Sequence, residues 1–279
     1  GSFSDLMASV SYGRFTWPAA RSKVVTIQMG KSVSTERNCP YRSIGSVADS
    51  KVLSQHGIDP KAFTHREYII PTTVQGCRWG GLAYVGCATP GPRKPGACQA
   101  WIRDRYATTR AHEFGHNLGA SHAGSNGLEY GDNSGVMGSA RNWKAYTAPA
   151  AYQLGFLEQA DVNTWTGSSR LFTIRDLALD PSTAGPSAYA SVVCECPGCP
   201  HAKSDRGSGG AIFVSYRAGA RGYDQGLAST YKRRVLVQLL RTHTRWYGRG
   251  TEFYAALAEG EAHTVSAAGL TVKVCRLTD

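Results

Sequence analysis

The eleven residues from His112 to His122, HEFGHNLGASH, limit what this chain can be more than any other stretch of it. His112 and His116 are four apart, so a helix stacks them one turn above the other on a single face. That is the separation at which two imidazoles grip one metal ion. Glu113 stands beside them. Gly119 can take the left-handed backbone that ends a helix and turns the chain, and the turn returns His122 as a third ligand. Three imidazoles leave one tetrahedral position open for water, the pattern of a catalytic zinc site. A carboxylate next to that position can accept the proton of the water. A bare HExxH arises by chance in unrelated proteins, but the extension xxGxxH makes coincidence remote. Glu113 is intact, which argues against a scaffold that keeps the metal and has lost the chemistry.

The extended motif is the signature of the metzincin clan of zinc peptidases, which this stretch resembles. The clan also carries a methionine turn, a hydrophobic floor under the metal. Gly135-Val136-Met137-Gly138 fits it, with Met137 fifteen residues past His122. Within the clan, the words GLAYVGC, HEFGHNLGASH, EYGDNSGVMG and GYDQGL resemble the gametolysin family, secreted metallopeptidases best known from green algae, where they digest cell-wall glycoproteins. The resemblance is strong from about Gly80 to Leu157 and traceable over the rest. It implies one zinc held by His112, His116 and His122, proton transfer by Glu113, and Met137 packed beneath the metal. It also implies a cleft-edge strand at Gly81, Leu82, Ala83 and Tyr84, against which an extended substrate adds as an antiparallel strand. Some metzincins place a tyrosine two residues after the methionine. Here that position is Ser139, with Tyr130 and Tyr146 the tyrosines nearby in sequence.

Composition sets the surroundings of this motif. The chain has 279 residues, enough for two packed domains, and its 42% hydrophobic and 18% charged content is that of a folded soluble protein. No run approaches the roughly 18 apolar residues needed to cross a bilayer. Eight cysteines, an even number, suit a secreted, disulfide-bonded protein. The expected bridges are Cys87–Cys98 and Cys39–Cys77, leaving Cys194, Cys196, Cys199 and Cys275 for two more. The net charge of +11 is concentrated in residues 1–150, which hold 17 basic against 9 acidic residues. Such a surface suits an acidic matrix polymer as neighbour, or serves solubility alone. The densest basic run is Lys232-Arg233-Arg234, too short for a nucleic-acid arm.

The pattern along the chain reads as α+β. A metzincin-type catalytic domain, a mixed sheet packed on helices, covers 1–160, and an all-β, sandwich-like domain covers 161–279. In the first part, short helical periodicity is expected over 3–12, strands at 23–29 (KVVTIQM), 66–71, 80–87 and 100–103, and helices over 42–56 and after Asp104, a natural N-cap. Ala107, Ala111, Phe114 and Leu118 fall on the core face of the second helix. A closing helix is expected over 148–157. In the second part, 170–175 (RLFTIR), 211–216, 234–240 and 270–274 are strand-like.

Three smaller signals each have a plainer reading. The cluster Cys194-Glu195-Cys196-Pro197-Gly198-Cys199-Pro200-His201 is spaced too tightly for the usual paired zinc ligands, so disulfides are favoured over a second zinc. Glu129 and Asp132 are too few to specify calcium, so turn formation is the favoured role. Asp224 is read as a turn residue. The function implied is a secreted zinc endopeptidase acting on extracellular or cell-wall proteins and glycoproteins. The competing class is a metzincin-like adhesion protein that recognises matrix through its β-rich part.

Overall fold

A computed structural model describes residues 2–17, 19–30, 39–74, 76–86, 98–139, 141–179, 189–196, 210–220, 222–241 and 250–278. The first helix, α1 (Phe3–Val10), starts in a capping box: the Ser2 hydroxyl accepts from the Asp5 N–H and the Asp5 carboxylate accepts from the Ser2 N–H. Phe3, Leu6, Met7 and Val10 share its buried face. Helix α2 (Tyr41–His56) ends at Gly57, whose φ of 64° is the left-handed conformation expected of a glycine stop.

Strands β1 (His65–Ile69), β2 (Gly81–Ala83) and β3 (Cys98–Ile102) form a mixed sheet in the order β1-β3-β2. β1 runs parallel to β3, and β2 runs antiparallel to it, with Leu82 opposite Trp101. Trp101 is almost wholly buried and centres a cluster with Ile44, Ile70, Val74 and Cys77. The expected bridge Cys39–Cys77 is present and pins the start of α2 to this cluster. It closes a loop of 38 residues, for which chain entropy gives a stabilisation of about 2–4 kcal/mol. Replacing both cysteines by serine is expected to lower the unfolding free energy by that amount, read from urea titrations of the two proteins.

Helix α3 (Ala107–Leu118) packs its Ala111 and Phe114 against α1. Phe114 meets Phe3 and Phe15 with ring centroids 6.0 and 4.9 Å apart. Tyr106, not Asp104, occupies the N-cap, without a side-chain bond to the helix end. Asp104 instead accepts from the Tyr106 N–H at 3.0 Å and from the Thr109 hydroxyl at 2.7 Å, bracing the first turn from two residues further back. Helix α4 (Ala148–Gln153) is shorter than expected: Leu154 is its C-cap and the chain then turns through Gly155.

A second sheet joins the two halves of the chain. It has six strands in the order β4-β9-β8-β7-β6-β5, from β4 (Gly124–Ser125), β5 (Val162–Trp165), β6 (Ser191–Cys196), β7 (Gly210–Arg217), β8 (Arg234–Leu240) and β9 (Thr251–Leu257). One face carries Val193, Phe213 and Leu240 into the core that holds α1, α3 and the methionine segment. The other face buries Val192, Ile212, Val214 and Leu239 with Val265 and Val274, at the hairpin of β10 (Ala262–Val265) and β11 (Leu270–Lys273). The C-terminal strands therefore sit between the helical half and a hairpin, with β4 of the first half added at their edge.

Several expectations are corrected. Residues 23–29 form no strand and pair with none among the described residues. The segment is tied to α2 where the Lys51 ammonium donates to the Gln28 carbonyl at 2.8 Å, and Met29 packs on the Trp101 cluster. Among the described residues, 170–175 form a single bridge, Ile174 to Tyr189, rather than a strand. Cys194 is a buried free thiol and Cys275 an exposed one, so the bridges expected for them do not form. Cys194 is held in the apolar layer with Ile212 and Val214, whereas Cys275 lies past β11 on the surface. Cys98 and Cys196 are disulfide-bonded to partners outside the described residues. The Cys87–Cys98 expectation falls there too. A sulfur committed to a disulfide cannot ligate zinc, which removes Cys196 from the second-zinc reading.

Candidate metal centre

The three histidines reach one point from two directions. His112 and His116 project from the same face of α3, one turn apart. Gly119, at φ 108°, ends the helix; its N–H bonds the His116 carbonyl and the Ala120 N–H bonds the Gly115 carbonyl. The chain then turns and brings His122 to the other side. The Nε2 of His116 lies 3.1 Å from that of His112 and 3.0 Å from that of His122. Among the described residues this is the one group of three or more histidine, cysteine or acidic side chains that can converge on a metal.

The remaining ring nitrogens decide whether this cluster suits a cation. His112 Nδ1 faces the Val136 carbonyl at 2.8 Å, His116 Nδ1 the Ala120 carbonyl at 2.7 Å, and His122 Nδ1 a Glu129 carboxylate oxygen at 2.6 Å. All three partners are acceptors, so each Nδ1 carries the proton and each Nε2 turns a lone pair inward. Three lone pairs that close repel one another unless a cation sits between them. Four-coordinate zinc at about 2.0–2.1 Å from each nitrogen needs a spacing close to this. Burial pushes His112 down to about 4 and His116 down to about 3, the neutral state that ligation requires. The residues therefore fit zinc. Glu129 is engaged with His122, and Asp132 with Ser134 and Gln238, so the two acids do not converge and the calcium reading has no support.

The Glu113 side chain lies against β2. A Cβ on Gly81 would overlap the Glu113 carboxylate and sit 2.6 Å from its Cγ, so the glycine is what lets the acid lie there. Burial, helped by the Asp104 carboxylate, raises Glu113 to about 8. A cation held by the histidines pulls it back down. β2 pairs with β3 on one side and, among the described residues, has no strand on the other, with the Tyr84 N–H continuing the ladder to the Gln99 carbonyl at 3.1 Å.

Met137 is buried and lies where a Cβ on Gly115, between the two helical histidines, would come 2.6 Å from its sulfur. Tyr146 is buried too, and its hydroxyl donates to the Ala111 carbonyl at 2.6 Å, so it braces α3 from below. Ser139 lines a polar cavity of about 290 Å³ with Asn133, Asn142 and Lys144; none of the histidines or Glu113 lines it. Tyr130 is the tyrosine that reaches the histidines. Its half-exposed ring stands 4.0 Å from that of His122.

A family model described as gametolysin peptidase M11 matches residues 1–246. The chain belongs to the gametolysin family. It is 30% identical over 197 residues to "Autolysin" of Chlamydomonas reinhardtii, an alignment covering 61% of this chain and 30% of that protein. The chain thus spans under a third of the length of this curated relative. No solved structure matches it. As a gametolysin-family member it is placed among peptidases, and its histidine cluster is the described site with the donor set for their chemistry.

The sequence alone missed the partners of the ligands. The Val136 and Ala120 carbonyls are backbone atoms with no residue-type signature. Glu129 and Tyr130 stood in the quoted word EYGD, but only the turn at Asn126-Gly127 brings them onto His122. Both of those residues have positive φ, 51° and 80°, and an Asn-Gly pair at such a turn is a legible hairpin signal.

Proposed function

We propose that this gametolysin-family chain is a secreted zinc endopeptidase that cleaves extended segments of extracellular or cell-wall proteins and glycoproteins. The observation that carries the reading is the convergence of three inward-facing Nε2 atoms, with Glu113, the residue after His112 on the same helix, lying against β2. His112, His116 and His122 would hold the ion. When bound, it supplies Lewis-acid activation of water and of the substrate carbonyl. Glu113 accepts the proton of the attacking water and passes it to the leaving amine. β2 receives the substrate as an added antiparallel strand, its N–H and C=O groups aligning the scissile bond while reading little side-chain identity. Met137 fills the floor beneath the site. The catalytic apparatus lies in residues 1–160, and residues 161–279 form the β-rich part that backs it.

Secretion is supported by the Cys39–Cys77 disulfide and by the name of the relative. No helix among the described residues is long and apolar enough to cross a membrane. The +11 charge favours retention near an acidic polymer, an association that should weaken as salt rises.

The reading is tested with a peptide library and mass spectrometry, with and without a chelator. Internal cleavage that the chelator stops is expected. Binding of peptides without cleavage under metal-replete conditions would point to the adhesion alternative. A narrower prediction concerns the edge strand: Gly81→Ala should push the Glu113 carboxylate off its station. Because the far end of that side chain can move, the fold should persist while kcat/KM falls about 10–100-fold. Circular dichroism and peptide kinetics on one preparation check both halves.

A further inference from the structure

We propose that Glu129 and Tyr130 are positioning residues for the third metal ligand, and that Gly250 of the C-terminal half completes its seat. The inference rests on the metal-site reading above. The three histidines are held in unequal ways. His112 and His116 stand on a helix, and their Nδ1 protons go to the Val136 and Ala120 carbonyls, acceptors that no side-chain change removes. His122 stands past the helix on irregular chain. Its Nδ1 proton goes to the Glu129 carboxylate at 2.6 Å, and Glu129 is 71% exposed. Its ring face is covered by Tyr130 at 4.0 Å. Its backbone rests on the glycine before β9: a Cβ on Gly250 would overlap the His122 carbonyl.

The loop carrying the pair is firmly built. Ser125 and Leu128 exchange N–H···O bonds of 3.1 and 2.9 Å across the Asn126-Gly127 turn. β4 pairs with β9, Gly124 opposite Glu252 and Ser125 opposite Phe253. Beyond the pair, Asp132 is buried and accepts from the Gln238 amide on β8 at 2.6 Å. The loop is thus tied at both ends to strands of the C-terminal half. That half is thereby part of the metal site, because it fixes the residues that orient His122.

The test is zinc affinity measured by competition with a chromophoric chelator, together with the urea midpoint of the metal-free protein. Glu129→Ala should raise the zinc Kd about 10–100-fold, the usual effect of losing a ligand's hydrogen-bond partner. Glu129→Gln keeps an acceptor and should recover most of that loss. Tyr130→Ala should weaken binding, whereas Tyr130→Phe, which keeps the ring, should not. The metal-free midpoints of the Glu129 variants should match the wild type, because an exposed side chain contributes little to folding. Wild-type zinc affinity in Glu129→Ala would overturn the proposal while leaving the peptidase reading intact. Absence of stoichiometric zinc in the wild type would overturn both.

Discussion

Glu113→Gln should leave the protein folded and loaded with one zinc while peptide cleavage falls by a factor of about 10² to 10⁴ or more, the range that a lost general base commands. The amide has nearly the shape of the carboxylate, so it fits the same space against Gly81. It cannot accept a proton from water. It also adds no buried charge; the site is already dry enough to raise the acid to about 8. Metal content by mass spectrometry and cleavage rate on the same sample separate the two effects. Near-normal cleavage would show that another group moves the proton.

The second large effect is expected far from the histidines. Arg217 of β7 is fully buried, and its Nε and one terminal nitrogen each lie 2.5 Å from a different oxygen of Asp224. Its other terminal nitrogen donates to the Ser134 carbonyl at 3.1 Å, and Asp224 accepts from the Ala145 N–H at 3.0 Å. Residues 134 and 145 bracket the stretch that carries Val136 and Met137, so this ion pair clamps the floor of the metal site to the sheet. Burial works to lower the pKa of Arg217; the Asp224 carboxylate outweighs it and keeps the guanidinium charged. Asp224→Ala removes the bonded carboxylate from that buried charge and leaves only the weaker pull of Asp176, which costs about 3–5 kcal/mol. Urea unfolding should show a loss of that size, and zinc affinity should fall with it, because the Val136 carbonyl that orients His112 is displaced. A change below about 1 kcal/mol would mean that the clamp is not needed.

The parts of this protein that were legible in its sequence are those set by local spacing. His112 and His116 four apart, Gly119 as the helix stop and Gly57 as another are consequences of helix geometry within a few residues. REYIIP and the strands around Phe213 and Leu236 announced themselves by apolar, β-branched runs. What failed depended on distant partners. KVVTIQM has a strand's alternation but pairs with no strand among the described residues, and RLFTIR makes one bridge there. β4 is two residues long, too short for any periodicity, yet it is what joins the first half to the second sheet. Asp224, expected as a turn residue, lies in a short 3-10 turn, Gly222–Gly226. Its role as the partner of Arg217 appears only when β7 is in place. The cysteines followed the same rule: Cys39 and Cys77 both pack on the Trp101 cluster and are bridged, while Cys194 is a free thiol held in the apolar layer and Cys275 a free thiol on the surface.

On the proposed reading, three histidines hold one zinc on which hydrolysis depends. This dependence is tested most directly by stripping the protein with a chelator, removing the chelator, and titrating zinc back while following cleavage of an extended peptide. Activity should be absent in the stripped protein, rise linearly with added zinc and break at one equivalent per chain; His116→Ala should recover none. Cleavage that persists without metal, or that returns equally in His116→Ala, would contradict it.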